Sequence, residues 1–234
     1  MKVDLIESYG TDLTCVNAAR VSMDKESEWD LELAEDVGPD VWERVLSDRD
    51  KKLVNYLAKH KHTSCFEHQG ATLRLKVPIF IARQIQRHRA FSYNEISRRY
   101  VDKEPEFFWP DKWRKRADNV KQGSSDEELP FAMDEVGMTL RGEDIFLRDY
   151  EYIVVSLYQS ALSAGMAPEQ ARMILPQNMF TEFYMTGNLR SWSHFLSLRL
   201  DAHAQKEVRD VAKMVEEILT PLWPVSMEAL REHS

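Results

Sequence analysis

Ala71-Thr72-Leu73-Arg74-Leu75-Lys76-Val77-Pro78-Ile79-Phe80-Ile81-Ala82-Arg83-Gln84-Ile85 holds the architecture of the chain. Ala71, Leu73, Leu75 and Val77 alternate with Thr72, Arg74 and Lys76, the two-residue period of a strand buried on one face. Pro78 stops the strand and suits the first turn of a helix. That helix is expected from Ile79 to about Arg89, with Ile81, Ile85 and His88 near one stripe. Gln84 and Arg87, three apart, fall on a neighbouring face. The strand thus delivers a helix whose last turn carries Arg87-His88-Arg89.

Upstream, Val3–Ser8 is expected as a strand and Leu13–Val21 as a helix. The stretch after Ser22 shows no period until Val41, Trp42, Val45 and Leu46, expected as a short helix. Asp48 is the expected N-cap of a helix ending near His60. Downstream, Phe107–Ser125 reads as irregular, Ile145–Ala164 as helix, and Pro168–Ile174 as a further helix opened by proline. Met179–Met185 reads as a strand turned by Thr186-Gly187-Asn188, with helices over Leu189–Leu200 and Ala202–Leu219 closing the chain. Helices mixed with a few strands, without regular βαβ alternation, indicate an α+β fold.

The 234 residues suit one domain spanning 1–234. With 43% hydrophobic and 30% charged residues, the composition is that of a packed soluble fold. No apolar run approaches a membrane span, and Met1-Lys2-Val3-Asp4 lacks the apolar stretch of a secretion signal, so none is expected. Two cysteines, Cys15 and Cys65, are too few for a disulfide framework, so a reducing, cytoplasmic setting is expected. The net charge of −8 is matched by Asp24–Asp50 alone, with eleven acidic and three basic residues. Nucleic-acid polymers are therefore poor partners. Arg83–Arg99 holds five arginines and one glutamate, a setting for a small anion.

Arg87-His88-Arg89-Ala90-Phe91-Ser92-Tyr93-Asn94-Glu95-Ile96-Ser97-Arg98-Arg99-Tyr100 packs cations, hydroxyls and a carboxylate together. Guanidinium groups grip phosphate bidentately and serines add short donors. The plainer alternative is a solvated basic helix end, favourable to the helix dipole. His60, His62, Cys65 and His68 lack the paired spacings of a zinc site, so no metal is expected. Trp109, Trp113 and Phe107 are expected to pack under a loop near Pro110 rather than stack on bases.

The order of these residues resembles the defining motif of the flavin-dependent thymidylate synthases: Arg-His-Arg, seven residues, then Ser, with Asn94-Glu95 inside and Arg99 after. Other segments resemble the same family in the expected order. They are Ala18-Ala19-Arg20-Val21-Ser22, His62-Thr63-Ser64-Cys65-Phe66-Glu67-His68 and Asp118-Asn119-Val120-Lys121-Gln122-Gly123-Ser124. Further on come Ala171-Arg172-Met173-Ile174-Leu175-Pro176, Asn188-Leu189-Arg190-Ser191 and Leu198-Arg199-Leu200-Asp201-Ala202-His203-Ala204-Gln205. Against the family pattern, Cys65 stands where Pro is more frequent, Arg98 where Gly is common and His194 where Asn is frequent.

The resemblance implies a central, mostly antiparallel sheet flanked by helices, with surface insertions around 24–50 and 126–144. It implies reductive methylation of dUMP to dTMP, with methylenetetrahydrofolate as carbon donor, giving tetrahydrofolate, and NADPH-reduced FAD as hydride source. It also implies a homotetramer whose subunits share active sites. Carried over by position, Ser22, His62, Ser64, Glu67, Arg87, His88, Arg89, Asn188, Arg190 and His194 would hold the flavin. Gln84, Arg87, Glu95, Ser97, Arg98, Arg99, Arg172 and Arg199 would hold the nucleotide. Arg199 is the candidate for stabilising charge on the pyrimidine. Ser97 reads as a phosphate donor rather than a nucleophile, because arginines and Glu95, not a dedicated general base, surround it in sequence.

Overall fold

The structure, a computed structural model, describes residues 1–33, 41–99, 104–117, 124–130, 133 and 135–233. Most of the segment Asp118–Ser124, Tyr100, and parts of both expected insertions lie outside the described residues.

In chain order the elements are β1 (Lys2–Tyr9), α1 (Asp12–Arg20), β2 (Asp30–Leu33), β3 (Trp42–Val45), α2 (Asp48–Lys59), β4 (Gly70–Pro78), α3 (Ile79–Ile85) and β5 (Ser92–Glu95). There follow β6 (Arg114–Arg116), β7 (Ser124–Glu128), β8 (Gly137–Leu140), β9 (Glu143–Phe146), α4 (Tyr150–Ser163), α5 (Pro168–Ala171), β10 (Phe180–Asn188), α6 (Leu189–Arg199), α7 (Lys206–Leu219) and α8 (Pro224–Glu232).

The central sheet has the order β1-β4-β10-β5, with every neighbouring pair antiparallel. β4 carries Ala71, Leu73, Leu75 and Val77 on its buried face, as its alternation requires. β10 lines up beside it in a regular register from Phe180 opposite Pro78 to Asn188 opposite Gly70, adding Phe183 and Met185 to the same core. α6 contributes Leu189, Trp192 and Phe195 to this core, and α7 contributes Val208, Val211, Val215 and Leu219. The α+β expectation, with an antiparallel sheet flanked by helices, holds.

Several local expectations are corrected. Val41–Leu46 is not a helix: Trp42–Val45 pairs with Asp30–Leu33 in a hairpin. Ser47, not Asp48, caps α2, its hydroxyl accepting the amide of Asp50 at 3.2 Å. Phe107–Ser125 is not wholly irregular, since Arg114–Arg116 is a strand paired with β7. Thr186-Gly187-Asn188 is no turn but the end of β10. Gly187 serves close approach instead: a Cβ there would stand 2.5 Å from ring carbons of Phe91. The last long helix starts at Lys206 rather than Ala202, and a further helix, α8, follows it. The amides of Val225 and Ser226 in its first turn donate to Asp12, at 3.1 and 2.9 Å, so its cap comes from the opposite end of the sequence. No helix among the described residues is long and apolar enough to cross a membrane.

Candidate functional site

α3 is shorter than its sequence suggests, ending at Ile85 with Gln86 as its C-cap. The Tyr93 hydroxyl lies within hydrogen-bond reach of the carbonyls of His88 at 2.8 Å and Ile85 at 3.2 Å, the second of which also accepts the His88 amide at 3.1 Å, so it braces the turn that follows α3. Burial pushes the Tyr93 phenol up to about 12, so it remains a donor. Arg87-His88-Arg89 therefore lies in the connection to β5, and Gln84 and Arg87 do not share a helical face. His88 turns inward and is buried, while Arg87 and Arg89 are exposed. Neither arginine makes a hydrogen bond or ion pair among the described residues.

His88 meets the end of α6. Its ring packs against Phe195 with centroids 5.0 Å apart and lies 5.9 Å from the ring of His194. Arg199 Nε donates to His88 Nε2 at 2.9 Å, and Arg199 Nη2 donates to the Gln84 carbonyl at 2.8 Å. Since Nε2 accepts, the imidazole is neutral with its proton on Nδ1. Burial, then the charges of Arg199 and His194, depress the His88 pKa to about 4, which keeps that acceptor intact at neutral pH. Arg199 is half-buried, and two of its guanidinium nitrogens are fixed. The Gln84 side chain turns to Gln205, donating at 2.6 Å.

Glu95 stands opposite Phe183 at the edge of the sheet. It receives Thr181 Oγ1 at 2.6 Å and Gln86 Nε2 at 3.1 Å, one on each carboxylate oxygen. Just beyond, the Ser97 hydroxyl accepts from the backbone amide of Arg99 at 3.3 Å and from its Nε at 3.4 Å. Arg98 is half-buried beside them.

A cleft of about 630 Å³ opens on the other side of the α6 N-terminus, bounded among others by Thr63, Glu67, Ala90, Asn188, Arg190 and His194. Arg190 forms an ion pair with Glu67, tying α6 to the 3-10 turn Thr63–Glu67. Asn188 caps α6, its side-chain oxygen accepting the Ser191 amide at 3.0 Å. The helix's positive end, Arg190 and the neighbouring hydroxyls suit an anion, and the volume suits a nucleotide-sized ligand. His62 and Ser64 lie on the same turn, both exposed. The Cys65 thiol points inward and donates to the His62 carbonyl at 3.3 Å, whereas His60, His62 and His68 are exposed.

The expected residues thus form two adjoining groups. Gln84, His88 and Arg199 meet at the α3–α6 junction, Glu95 reaches the α3 end through Gln86, and Ser97 and Arg99 follow Glu95 in the chain. Glu67, Asn188, Arg190 and His194 line the cleft, and the contact between the His88 and His194 rings links the two. Others are not tied in: Arg87 and Arg89 are exposed without a hydrogen bond or ion pair among the described residues, and Ser22 and Arg172 belong to neither group. Ser22 is exposed after α1, with its hydroxyl donating to the Ala19 carbonyl at 3.0 Å. Arg172 is exposed in a 3-10 turn that packs chiefly on α4 and α5, its Nε donating to the Glu169 carbonyl at 3.2 Å. Thr181, Gln86 and Gln205 were not foreseen. A polar Thr181 on the core-facing period of a strand was the available signal. Trp109, half-buried, packs against Trp113 and Tyr150, centroids 6.2 and 6.0 Å apart.

Residues 4–225 match the family described as thymidylate synthase complementing protein. A flavin-dependent thymidylate synthase from Thermus thermophilus is 38% identical over 231 residues, covering 99% of this chain and 76% of the relative. One from Thermotoga neapolitana is 34% identical, covering 99% and 91% respectively. Among solved structures, a UMP/dUMP methylase PolB from Streptomyces cacaoi bound with 5-Br UMP is similar, with a TM-score of 0.73 and 30% identity over 99% of this chain and 94% of that one. With its signature, its fold and its near-complete alignment in agreement, the chain belongs to the family of the flavin-dependent thymidylate synthases.

Proposed function

We propose that this protein methylates dUMP at C5 to give dTMP, with FAD as bound cofactor, methylenetetrahydrofolate as carbon donor and NADPH as reductant. The single observation that carries it is the junction of His88, Gln84 and Arg199. There a half-buried guanidinium is fixed in place beside an arginine-rich loop. When bound, the flavin supplies the hydride that completes the methyl group. The chain's own residues bind, orient and stabilise charge.

In this assignment Arg87, Arg98, Arg99 and Arg172 answer the nucleotide phosphate, with the Ser97 hydroxyl as an added donor. Gln84 and Glu95 contact the nucleoside, and Arg199 stabilises negative charge developing on the pyrimidine as C5 gains its carbon. Ser97 is hydrogen-bonded to an arginine rather than to a base, which favours the donor role. Glu67, Asn188, Arg190 and His194, lining the cleft, hold the flavin together with Ser22, His62, Ser64, Arg87, His88 and Arg89.

A homotetramer with shared sites completes this scheme, Arg172 reaching the α3–α6 junction of a neighbouring subunit. Exposed apolar side chains flank the residues left outside the cluster. Val21 and Met23, 73% and 68% exposed, bracket Ser22, and Met173, 77% exposed, follows Arg172. Such neighbours suit a surface covered by another subunit. The chain acts as one domain in the cytoplasm, with 24–50 and 126–144 as surface decorations.

The test is the visible absorbance of the purified protein with added FAD while dUMP is titrated in. A bound-flavin spectrum that shifts saturably with dUMP is expected. A protein that retains no FAD and gives no response to dUMP overturns the assignment.

A further inference from the structure

We infer that Thr181, with Gln86, is a positioning residue that aims the Glu95 carboxylate at the nucleotide; this rests on Glu95 contacting dUMP. Glu95 is exposed near the end of the short edge strand β5, where a carboxylate on a mobile side chain would sample many directions. It is instead gripped at both oxygens, by Thr181 Oγ1 at 2.6 Å and Gln86 Nε2 at 3.1 Å. The two donors come from different elements, the core-facing side of β10 and the C-cap of α3.

Register explains the reach. Glu95 faces Phe183 across the β5–β10 ladder, and Thr181 lies two residues along β10 on the same face. Thr181 is 4% exposed, the polar member of a row whose next members are Phe183 and Met185. A hydroxyl in that row has to find a partner, and the one it finds is Glu95. The Gln86 contact ties the same carboxylate to the α3 end, two residues from the Gln84 carbonyl that holds Arg199. Glu95 and Arg199 are thereby set relative to each other through one short helix. Each carboxylate oxygen keeps a second lone pair for a ligand hydroxyl or N–H.

Thr181→Val removes the hydroxyl at constant shape, Thr181→Ser keeps it, and Glu95→Ala removes the group being aimed. Each variant is followed by the dUMP-induced change in bound-flavin absorbance, by KM and kcat, and by thermal midpoint. Thr181→Val is expected to weaken dUMP binding and raise its KM about tenfold with kcat little changed, as loss of a hydrogen bond to a charged group does. Thr181→Ser is expected to restore wild-type binding, and Thr181→Val should add nothing in the Glu95→Ala background. Wild-type dUMP binding in Thr181→Val, while Glu95→Ala is weakened, overturns the inference and leaves the Glu95 contact standing. Equal weakening in Thr181→Ser and Thr181→Val assigns the effect to packing and also overturns it. Unaltered dUMP binding in Glu95→Ala removes the contact itself, and the inference with it.

Discussion

The α3–α6 junction and the outlying residues Ser22 and Arg172 belong to the same expected site, yet the fold treats them differently. At the junction, Arg199 is held by His88 and the Gln84 carbonyl, His88 is buried against Phe195, and Tyr93 closes the end of α3. Geometry there is fixed before any ligand arrives, which is what electrostatic stabilisation requires. Ser22 and Arg172 are exposed, engage only local backbone carbonyls among the described residues and sit among exposed apolar side chains. The first region is preorganised within one chain. The second has the character of a surface whose partner is another subunit.

The largest effect should follow from breaking the preorganised side. Arg199→Ala at saturating dUMP is expected to lower turnover by about 10²–10³-fold, as removal of one oxyanion-type donor does, while the fold survives. Full turnover in that variant would remove Arg199 from the chemistry.

The same junction carries a pH signature. His88 titrates at about 4 in the fold against an ordinary value near 6.5, so between these values the unfolded chain binds the extra proton. Stability is therefore lost as pH falls from about 6.5 toward 4. From pH 7 to pH 5 the wild-type chain should lose about 2 kcal/mol more than His88→Gln, which keeps an acceptor but does not titrate. Denaturant midpoints at the two pH values measure the difference, and parallel losses in both proteins would show that His88 titrates normally.

A smaller effect is expected outside the junction. Ser97→Ala should weaken dUMP binding by about threefold to tenfold, the worth of one hydroxyl donor, and leave turnover at saturation nearly intact. Abolished turnover would restore the nucleophile role.

Much of this was legible from local pattern. The alternation over Ala71–Val77 placed β4 and its buried face, and the motif from Arg87 to Arg99 named most residues of the junction. The missed features lack a local pattern that announces them, whether their partner is near in the chain or far from it. The Tyr93 hydroxyl meets the end of α3 and Asp12 caps α8, and neither contact has a local sequence signal. The β2–β3 hairpin has no buried face on β2; Trp29, Leu31 and Leu33 do alternate with Asp30 and Glu32, but a run this short within an acidic stretch does not read as a strand. The β8–β9 turn puts Arg141 and Gly142 at positive φ, a job more often signalled by Asn-Gly. Gly187 looked like a turn because its reason, the ring of Phe91, belongs to another part of the chain.

The most direct test of the contrast mixes subunits. Arg172→Ala and Arg199→Ala proteins, each nearly inactive alone, are dissociated, combined in equal amounts and reassembled. If Arg172 of one subunit serves the junction of another, random reassembly should restore about a quarter of wild-type turnover, since about one site in four then receives both arginines intact. Activity no higher than that of the separate variants, in mixtures verified to exchange subunits, would place both arginines in one chain and contradict the shared site.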